Sequence, residues 1–226
     1  MDNEYLSNIS SQEWIKVQKK YYKEFSSKSG YFSRKPRFLN LKSARRIFDS
    51  EKILFWVTDG TLLGFYRDGN FIKWDNEVDL DTLYDILKPN IYKLRIKFIN
   101  KGFIVRCYDN GKKIKINLYR NGSKVSIRGL YDLKGYRRDK FFISGIYQYP
   151  KKFFQNFSKI EIDGYRYNAP NPIGKYILYV YGKNWDRPIR IKRKSKIAYG
   201  GWLSKKIRIS TEQKKQINQL GNRNEK

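Results

Sequence analysis

Carboxylates alternate with apolar residues in one short stretch, and this alternation constrains the fold more than any other feature of the sequence. Five of the 21 acidic residues fall within 11 positions, at Asp75, Glu77, Asp79, Asp81 and Asp85. The first four have the same parity, and Val78 and Leu80 stand between them. Because successive side chains of a β-strand point to opposite faces, the pattern predicts a strand over 77–81. Glu77 and Asp79 would share one face, with Cα atoms ~6–7 Å apart, while the apolar residues face the core.

Two carboxylates on one strand face can hold one or two hard divalent cations, because such ions prefer oxygen ligands. Phosphoryl transfer uses these ions to neutralise charge on the phosphate. Glu77 and Asp79 are therefore candidate metal ligands; the alternative is an edge strand with a solvated acidic face. Asp81 precedes residues 82–88, which have helical spacing, so it is expected to cap that helix. Asp85 is expected to be a solvated helix residue.

A glycine and a threonine precede the acidic stretch at a position that suits phosphate binding. Gly60-Thr61 follows a predicted apolar strand over 53–58 and precedes a predicted helical turn over 61–67. Glycine lets a backbone approach a phosphate closely, and the N–H groups at a helix N-terminus can bind it. Gly60-Thr61 is therefore a candidate for contact with substrate phosphates.

The composition excludes several kinds of catalysis. The 226 residues include no His, which excludes mechanisms that use a His base. Cys107 is the one Cys, so an internal disulfide and a Cys/His zinc site are excluded, and Cys107 is expected to be an ordinary strand residue. Acid–base and metal chemistry must use carboxylates, Lys, Tyr or water.

Membrane insertion is not expected from the sequence. No apolar run approaches the ~20 residues that span a bilayer, and the acidic N-terminus is unlike a signal peptide. We therefore expect a soluble, cytoplasmic protein, with peripheral association at a membrane as an alternative.

Positive charge is concentrated in the C-terminal part of the chain. Residues 1–85 carry 14 basic and 13 acidic side chains, whereas residues 86–226 carry 35 and 8, a net +27 of the total +28. Such an excess attracts polyanions, so residues 86–226 are a candidate surface for RNA or an anionic membrane. The alternative is compositional drift, since Lys, Asn, Ile, Tyr and Phe dominate as in products of AT-rich genomes.

The remaining pattern predicts a mixed α+β fold. A capping box at Ser10-Ser11-Gln12-Glu13 predicts a helix over 10–25, and further helices are expected over 41–51, 82–88 and 92–100, with Pro89 as an interruption. Residues 26–36 are expected to form a linker. Asn-Gly and Asp-Gly turns predict hairpins over 103–119, 113–130 and 160–167. Asn171-Pro172 should begin a helix that ends at Gly182.

Several motifs resemble the LicD and fukutin family. The segment 60–67, Gly-Thr-Leu-Leu-Gly-Phe-Tyr-Arg, resembles the family pattern G-T-L-L-G-x-x-R, and residues 74–79 resemble its W-D-x-D-[IV]-D. Downstream, residues 116–119 are similar to its V-D-L-W segment, and residues 168–170 and 181–185 to its A-P and Y-G-x-x-W ending. The resemblance covers roughly residues 40–190.

This resemblance implies a nucleotidyltransferase-like fold and a metal-dependent transferase. Such enzymes move a phospho-alcohol, for example ribitol phosphate or phosphocholine, from a CDP-linked donor to a glycan hydroxyl. The resemblance implies that Glu77 and Asp79 bind Mg²⁺ or Mn²⁺ during catalysis. It also implies that Gly60, Thr61 and Arg67 contact the donor phosphates.

Two positions depart from the family pattern. Glu77 replaces the usual Asp, and Asn117 replaces a third carboxylate. Asn117 could serve as a neutral metal ligand but not as a base, so Asp75, or less favourably Asp59, would accept the proton of the acceptor. If the Asn117 strand borders the Glu77 strand, Asn117→Asp should strengthen metal binding. The alternatives are a degenerate binding protein without catalysis and an RNA-directed nucleotidyltransferase.

The expected architecture is a small mixed sheet flanked by helices, of the α+β class. We expect an N-terminal helical extension over 1–38, a nucleotidyltransferase-like domain over 39–205 and a polar basic tail over 206–226.

Overall fold

The structure is a computed structural model that describes residues 10, 12–13, 15–17, 19–20, 32–109, 114–132, 140–144, 146–189 and 208–211. Within these ranges the longer helices are α1 (Arg34–Ser50), α2 (Asp59–Asp68), α3 (Tyr84–Asn100) and α4 (Ile173–Tyr181). The strands are β1 (Trp56–Val57), β2 (Glu77–Leu83), β3 (Ile104–Asp109), β4 (Ile114–Arg120), β5 (Ser123–Asp132), β6 (Phe141–Ser144), β7 (Tyr147–Pro150), β8 (Ser158–Ile162) and β9 (Tyr165–Ala169). A 3₁₀ turn spans Lys151–Phe153.

Seven of these strands form one mixed sheet in the order β1-β2-β5-β4-β3, and β6 and β7 continue from the end of β5. Strand β2 runs parallel to β5, whereas the other pairs are antiparallel. Strands β8 and β9 form a separate hairpin. The predicted α+β class, a small mixed sheet with helices, is confirmed.

One face of the central sheet is apolar. Its side chains lie in register across β2, β5 and β4 and are inaccessible to solvent: Val78, Val125, Leu118, Leu80, Ile127 and Ile116. They join one continuous core with residues of α1 and α3, among them Leu41, Phe48, Leu87 and Phe98. Burial of this face leaves the opposite face of the same strands for polar side chains.

The predicted hairpins are confirmed. Asn121-Gly122 joins β4 to β5 and Asp163-Gly164 joins β8 to β9, and all four residues have positive φ, as a two-residue hairpin turn requires. Strands β3 and β4 pair antiparallel, although their turn, residues 110–113, lies outside the described residues. The helix that ends at Gly182 is also confirmed.

The acidic strand is longer than expected, and this corrects the prediction for Asp81. Strand β2 continues to Leu83 because Thr82 and Leu83 pair with β5, and the Thr82 hydroxyl donates to the Leu54 carbonyl at 2.6 Å. The residue before α3 is Leu83, so Asp81 is a strand residue and caps no helix. Asp85, in the first turn of α3, is exposed as expected.

Pro89 does not interrupt a helix, which is a second correction. Helix α3 is continuous from Tyr84 to Asn100, with Pro89 near its N-terminal end. A proline there removes one intrahelical hydrogen bond. The apolar side of α3 packs on the core on both sides of Pro89, through Leu87, Ile91 and Leu94. Packing therefore outweighs the local preference for a break.

The N-terminal part of the fold also differs from prediction. Helix α1 begins at Arg34 rather than near residue 41, and Pro36 lies in its first turn, where proline is well tolerated. The expected strand over 53–58 is reduced to Trp56–Val57, and β6 and β7 were not predicted. The capping box is present: the Ser10 N–H donates to Glu13 Oε2 at 2.7 Å and the Glu13 N–H to Ser10 Oγ at 3.2 Å.

The proposed division of the chain stays a prediction. Helix α1 crosses the boundary drawn between residues 38 and 39. Of the tail, residues 208–211 are described, and Arg208 forms a β-bridge with Tyr147. Among the residues that the structure describes, no helix combines the length and the apolar character needed to cross a membrane.

Candidate functional site

The carboxylates of β2 lie on the polar face of the sheet. Glu77, Asp79 and Asp81 alternate with Val78 and Leu80, which are fully buried on the opposite face, as the sequence predicts. Asp79 is only 5% exposed. An amphipathic edge strand with a solvated acidic face is therefore excluded.

Gly60 and Thr61 each form a hydrogen bond with Asp79. The Gly60 N–H donates to Asp79 Oδ2 at 3.2 Å, and the Asp79 N–H donates to Thr61 Oγ1 at 2.8 Å. Thr61 is 1% exposed, so its hydroxyl is turned into the protein toward β2. These contacts give both residues a role in positioning the carboxylate; their contact with donor phosphates stays a prediction.

The lack of a side chain at Gly60 creates the space in which two carboxylates approach each other. A Cβ at this position would lie 2.6 Å from Asp75 Oδ2 and 3.3 Å from Asp79 Oδ2. The other oxygen of Asp75, Oδ1, accepts the Glu77 N–H at 2.9 Å. Asp75 Oδ2 is therefore directed toward Asp79 and Gly60.

A buried arginine holds the loop that carries Asp75. Nη1 of Arg37 donates to the carbonyls of Ile72 and Asp75, both at 2.7 Å, and Nη2 donates to the Phe32 carbonyl at 2.9 Å. The guanidinium also lies over the Phe71 ring, 4.7 Å from its centroid. Arg37 thus fixes the position of Asp75 through the backbone of the loop.

Burial and mutual repulsion raise the pKa values of the clustered carboxylates. Burial and then the charge of Glu77 raise the pKa of Asp75 to about 7. Burial, followed by the charges of Asp59 and Glu77, raises the pKa of Asp79 well above its usual value. Burial also opposes ionisation of Glu77, but Lys124 outweighs it and holds the pKa of Glu77 below its ordinary value. A bound cation would relieve this repulsion.

Cations lie beside the carboxylates on the same face of the sheet. Lys124 forms an ion pair with Glu77. The β2–β5–β4 register places side chains in three rows across the polar face: Glu77, Lys124 and Tyr119; Asp79, Ser126 and Asn117; Asp81, Arg128 and Lys115. Each carboxylate of β2 therefore faces a polar residue of β5.

Arg128 joins two acidic residues from different elements. It donates through Nε and Nη2 to the two oxygens of Asp81, at 2.8 and 2.9 Å, and its Nη1 lies 2.8 Å from Asp59 Oδ2. Burial raises the pKa of Asp81 to about 6, although Arg128 opposes the rise. Asp81 thus forms an ion pair with Arg128 instead of the predicted helix cap.

Asn117 lies further from the carboxylates than the sequence suggested. Strand β5 separates β4 from β2, so Asn117 is in the Asp79 row but two strands away, roughly 10 Å at the usual spacing. The condition that the Asn117 strand borders β2 is therefore not met, and a role for Asn117 as a metal ligand stays a prediction. Asn117 Oδ1 is buried and has no hydrogen-bond partner among the described residues.

Arg67 lies at the opposite end of α2 from Gly60, ~10 Å along the helix axis. Its guanidinium donates to both oxygens of Asp68, at 2.9 and 2.7 Å, and to the Trp185 carbonyl at 3.3 Å. The structure therefore shows Arg67 joining α2 to the segment after α4. A contact with donor phosphates stays a prediction.

A cleft of about 540 Å³ lies at the Asp68 end of α2, and none of the clustered carboxylates lines it. It is lined by the loop 70–74, which leads directly into Asp75, together with Asp68 and Pro188. Trp74 contributes to the lining and also packs against the core. This cleft is within the usual size range of small-molecule sites.

The donor set fits a hard divalent cation. The available ligands are carboxylate oxygens, which Mg²⁺ and Mn²⁺ prefer. Over the described ranges, no three acidic or thiol side chains are already gathered around one point. Mg²⁺ commonly binds through one or two carboxylates, with water and substrate phosphates as its other ligands. The Asp79 surroundings suit that mode of binding.

Sequence reasoning missed the basic residues of the site. Lys124, Ser126 and Arg128 alternate with Val125 and Ile127, so the signal of a second polar strand face was present. The pairing of β5 with β2 has no local signal. Arg37 was placed in the N-terminal extension, and nothing nearby in the sequence marks its distant carbonyl partners.

Comparisons with known proteins found one family model and solved structures that are similar to this chain. A family model described as LicD/FKTN/FKRP, nucleotidyltransferase domain, matches residues 52–172. Among solved structures, the antibiotic-resistance factor ANT(2″)-Ia in solution is similar at 9% identity and a TM-score of 0.45, over 61% of this chain and 66% of that chain. A crystal structure of ANT(2″)-Ia with adenylyl-2″-tobramycin gives 8% identity and a TM-score of 0.41, over 59% and 68%.

This chain thus spans just under two thirds of the first of these structures. No curated protein matches the sequence significantly.

Proposed function

Because the chain belongs to the LicD/FKTN/FKRP nucleotidyltransferase-domain family, we propose that it is a metal-dependent transferase. In this proposal it moves a phospho-alcohol, such as ribitol phosphate or phosphocholine, from a CDP-linked donor to a hydroxyl group of a glycan. The family supports a phosphotransferase-type activity in general. The CDP-linked donor and the glycan acceptor are part of our proposal and are taken from the resemblance to the family.

The observation that carries the proposal is the approach of Asp75 and Asp79 across Gly60. Both carboxylates have raised pKa values, and a Cβ added at Gly60 would collide with Asp75 Oδ2 and crowd Asp79 Oδ2. A fold seldom retains such mutual repulsion for stability alone, and strongly shifted pKa values are concentrated at functional sites. The cluster is therefore best explained as a site for a cation and a phosphate.

Asp79, with Glu77 beside it on β2, would hold Mg²⁺ or Mn²⁺. The ion would supply positive charge to the transferring phosphate. Gly60 and Thr61 keep Asp79 oriented through their two hydrogen bonds. Lys124 keeps Glu77 ionised, because the ion pair holds the pKa of Glu77 low.

Asp75 is the preferred acceptor of the proton from the attacking hydroxyl. A pKa of about 7 suits a general base at neutral pH. Its Oδ2 faces Asp79, while Oδ1 is held by the Glu77 N–H. Asp59 is less suitable, because it is ion-paired with Arg128 at 2.8 Å.

The roles of the two aspartates can be separated by experiment. We would incubate the protein and Mg²⁺ with CDP-ribitol, CDP-choline or CDP-glycerol, with and without glycan acceptors, and measure CMP release. Plain nucleoside triphosphates, with and without RNA, would be assayed in parallel by release of pyrophosphate. Asp79→Asn should lose both Mn²⁺ binding and turnover. Asp75→Asn should retain Mn²⁺ binding within about threefold but lose turnover by about 10²–10⁴-fold, the usual contribution of a general base.

The outcomes distinguish a CDP-alcohol transferase from a degenerate binding protein and from an RNA-directed nucleotidyltransferase. Mn²⁺ binding without turnover of any CDP-alcohol would favour a degenerate binding protein. Turnover of nucleoside triphosphates with RNA would favour an RNA-directed nucleotidyltransferase, to which the net +27 of residues 86–226 is suited. Equal Mn²⁺ affinity in wild type and Asp79→Asn would contradict the metal assignment.

A further inference from the structure

Three cations lie on the polar face of β4 and β5, and two of them are ion-paired with carboxylates. Lys124 is paired with Glu77, and Arg128 is paired with Asp59 and Asp81. Lys115, in the same row as Arg128, makes no ion pair or hydrogen bond with any described residue. It is the exception among the cations of this face.

The position of Lys115 is unfavourable in the absence of a ligand. The side chain is half-buried, and its charge interacts repulsively with those of Lys124 and Arg128. A partly desolvated ammonium gains stability only from an anion or from hydrogen-bond acceptors. Glu77 and Asp79 attract it from the other side of the face but do not contact it. Lys115 would therefore be stabilised by an anion, and none of the described residues supplies one in contact with it.

The space between Lys115 and the carboxylates is lined by short polar side chains. Ser126 stands between Asp79 and Asn117 in the middle row, and it is 3% exposed. Strand β4 lies two strands from β2, ~10 Å, and this row runs across β5 from the carboxylate side of the face to the cation side. An anion bound to Lys115 would lie next to a cation bound at Asp79.

We propose that Lys115 and Lys124 form the binding site for the diphosphate group of a nucleotide-linked donor on the polar face of β4 and β5. The inference rests on the proposed function for the identity of the donor. In this inference the two lysines, rather than Thr61, make the main contacts with the phosphates, because the Thr61 hydroxyl accepts a hydrogen bond from the Asp79 N–H. Ammonium groups are well-attested phosphate ligands, and a charge-assisted contact is among the stronger hydrogen bonds.

The test uses inorganic pyrophosphate and CDP as probes, with calorimetric titration into the full chain in the presence of Mg²⁺. Lys115→Met keeps the length of the side chain and removes its charge. It should weaken binding of both probes by about tenfold or more, the size of one charge-assisted hydrogen bond. Lys115→Arg should retain most of the affinity.

Lys101→Met is the matched control, because Lys101 is an exposed residue after α3 and its loss changes the net charge equally. It should leave pyrophosphate affinity within about twofold of wild type. Far-UV circular dichroism and thermal melting of each variant would show that it is folded. Mn²⁺ affinity without phosphate should be equal or higher in Lys115→Met, since a repelling cation is removed.

The proposed site and the proposed function can fail separately. Equal pyrophosphate affinity in wild type, Lys115→Met and Lys101→Met would overturn the site, as would wild type that binds neither probe. Selective loss of pyrophosphate binding in Lys115→Met, with no turnover of any CDP-alcohol by wild type, would uphold the site and reject the transferase. Full CDP-alcohol turnover by Lys115→Met would reject the site and uphold the transferase.

Discussion

Gly60 illustrates how one residue can determine the geometry of the site. Its φ is not the reason for glycine here; the reason is the approach of Asp75 and Asp79 to the place where a Cβ would stand. Gly64, one turn further along α2, is crowded by backbone atoms instead of carboxylates. A Cβ there would lie 2.5 Å from the Asn70 carbonyl oxygen and 2.9 Å from the Ile72 nitrogen.

These two glycines give a matched pair of variants. Gly60→Ala and Gly64→Ala should each lower the free energy of unfolding by about 1–3 kcal/mol, because each overpacks a filled space. Gly60→Ala should in addition weaken Mn²⁺ binding, since Asp75 and Asp79 must move apart. Urea unfolding and Mn²⁺ titration would measure both effects. If Gly64→Ala weakened Mn²⁺ binding as much, the effect could not be assigned to the carboxylates.

The raised pKa of Asp75 predicts a pH-dependent stability. The pKa rises from 3.8 to about 7 in the folded protein, so between these values the folded state binds a proton that the unfolded state releases. The free energy of unfolding in chelator should therefore decrease as pH rises from about 4 to 7. Asp79 and Asp81, whose pKa values are also raised, add to the decrease in the same direction.

Two comparisons test this assignment by denaturation at several pH values. Asp75→Asn removes one titrating group, so its stability should decrease less steeply over this interval. Mg²⁺ binds ionised carboxylates and should restore stability at pH 7 and above. A wild type that gains stability from pH 4 to 7 in chelator would contradict the prediction.

At the scale of elements, the site depends on the parallel pairing of β2 with β5. Arg128 of β5 is held against Asp81 of β2 and Asp59 of α2, and thus connects three elements through buried charges. Both acidic residues lie far from Arg128 in the sequence. The pair of strands therefore positions both the carboxylates and the cations of the site.

Arg128→Met should be strongly destabilising, by about 3–5 kcal/mol, because it leaves two carboxylates without their buried counter-charge. Arg34→Met is the control: Arg34 pairs with Asp163 at 2.8 Å near the surface, where such a pair contributes about 0.2–1 kcal/mol. Urea unfolding compares the two. A loss of less than 1 kcal/mol in Arg128→Met would show that the two carboxylates accept protons or water at little cost.

Sheet order also changes the expectation for Asn117. Because β5 lies between β4 and β2, a carboxylate at position 117 is too distant to join Asp79 in holding one ion. Asn117→Asp should raise Mn²⁺ affinity by about fourfold or less, because a unit charge ~10 Å from a divalent ion contributes about 0.8 kcal/mol in water-like surroundings before screening by salt. A gain of tenfold or more on Mn²⁺ titration would restore Asn117 as a metal ligand.

At the scale of the whole molecule, the positive charge is distributed unequally between the two parts of the chain. Residues 86–226 hold a net +27, and they include Lys115, Lys124 and Arg128 of the site. Part of the basic run after Arg187 lies outside the described residues. The site uses three of the 35 basic residues in this part of the chain. Binding of polyanions by the others needs a separate test.

Binding to RNA, heparin and anionic vesicles should weaken steeply with salt if this charge contacts phosphates or sulfates. The logarithm of the association constant should fall linearly with the logarithm of salt concentration, with a slope near the number of phosphates contacted. Neutral vesicles serve as the control. Weak binding to all three polyanions at low salt would indicate that the charge is compositional drift.

The sequence by itself determined the local features of this protein. Alternation over 77–81 specified a strand with one acidic face, since that pattern depends only on the geometry of a single strand. Asn121-Gly122 and Asp163-Gly164 specified hairpins because their φ values are a property of those residues. The motifs at 60–67 and 74–79 identified the family.

Tertiary structure decided which distant groups share the site. Parallel pairing of β2 with β5 is not encoded in any short segment, yet it brings Arg128 to Asp81, Lys124 to Glu77 and Ser126 between Asp79 and Asn117. It also decided that Asp81 is an ion-paired strand residue and that α3 continues through Pro89. In each case long-range burial and pairing energy exceeded a local preference, which is the part of folding that a linear pattern does not contain.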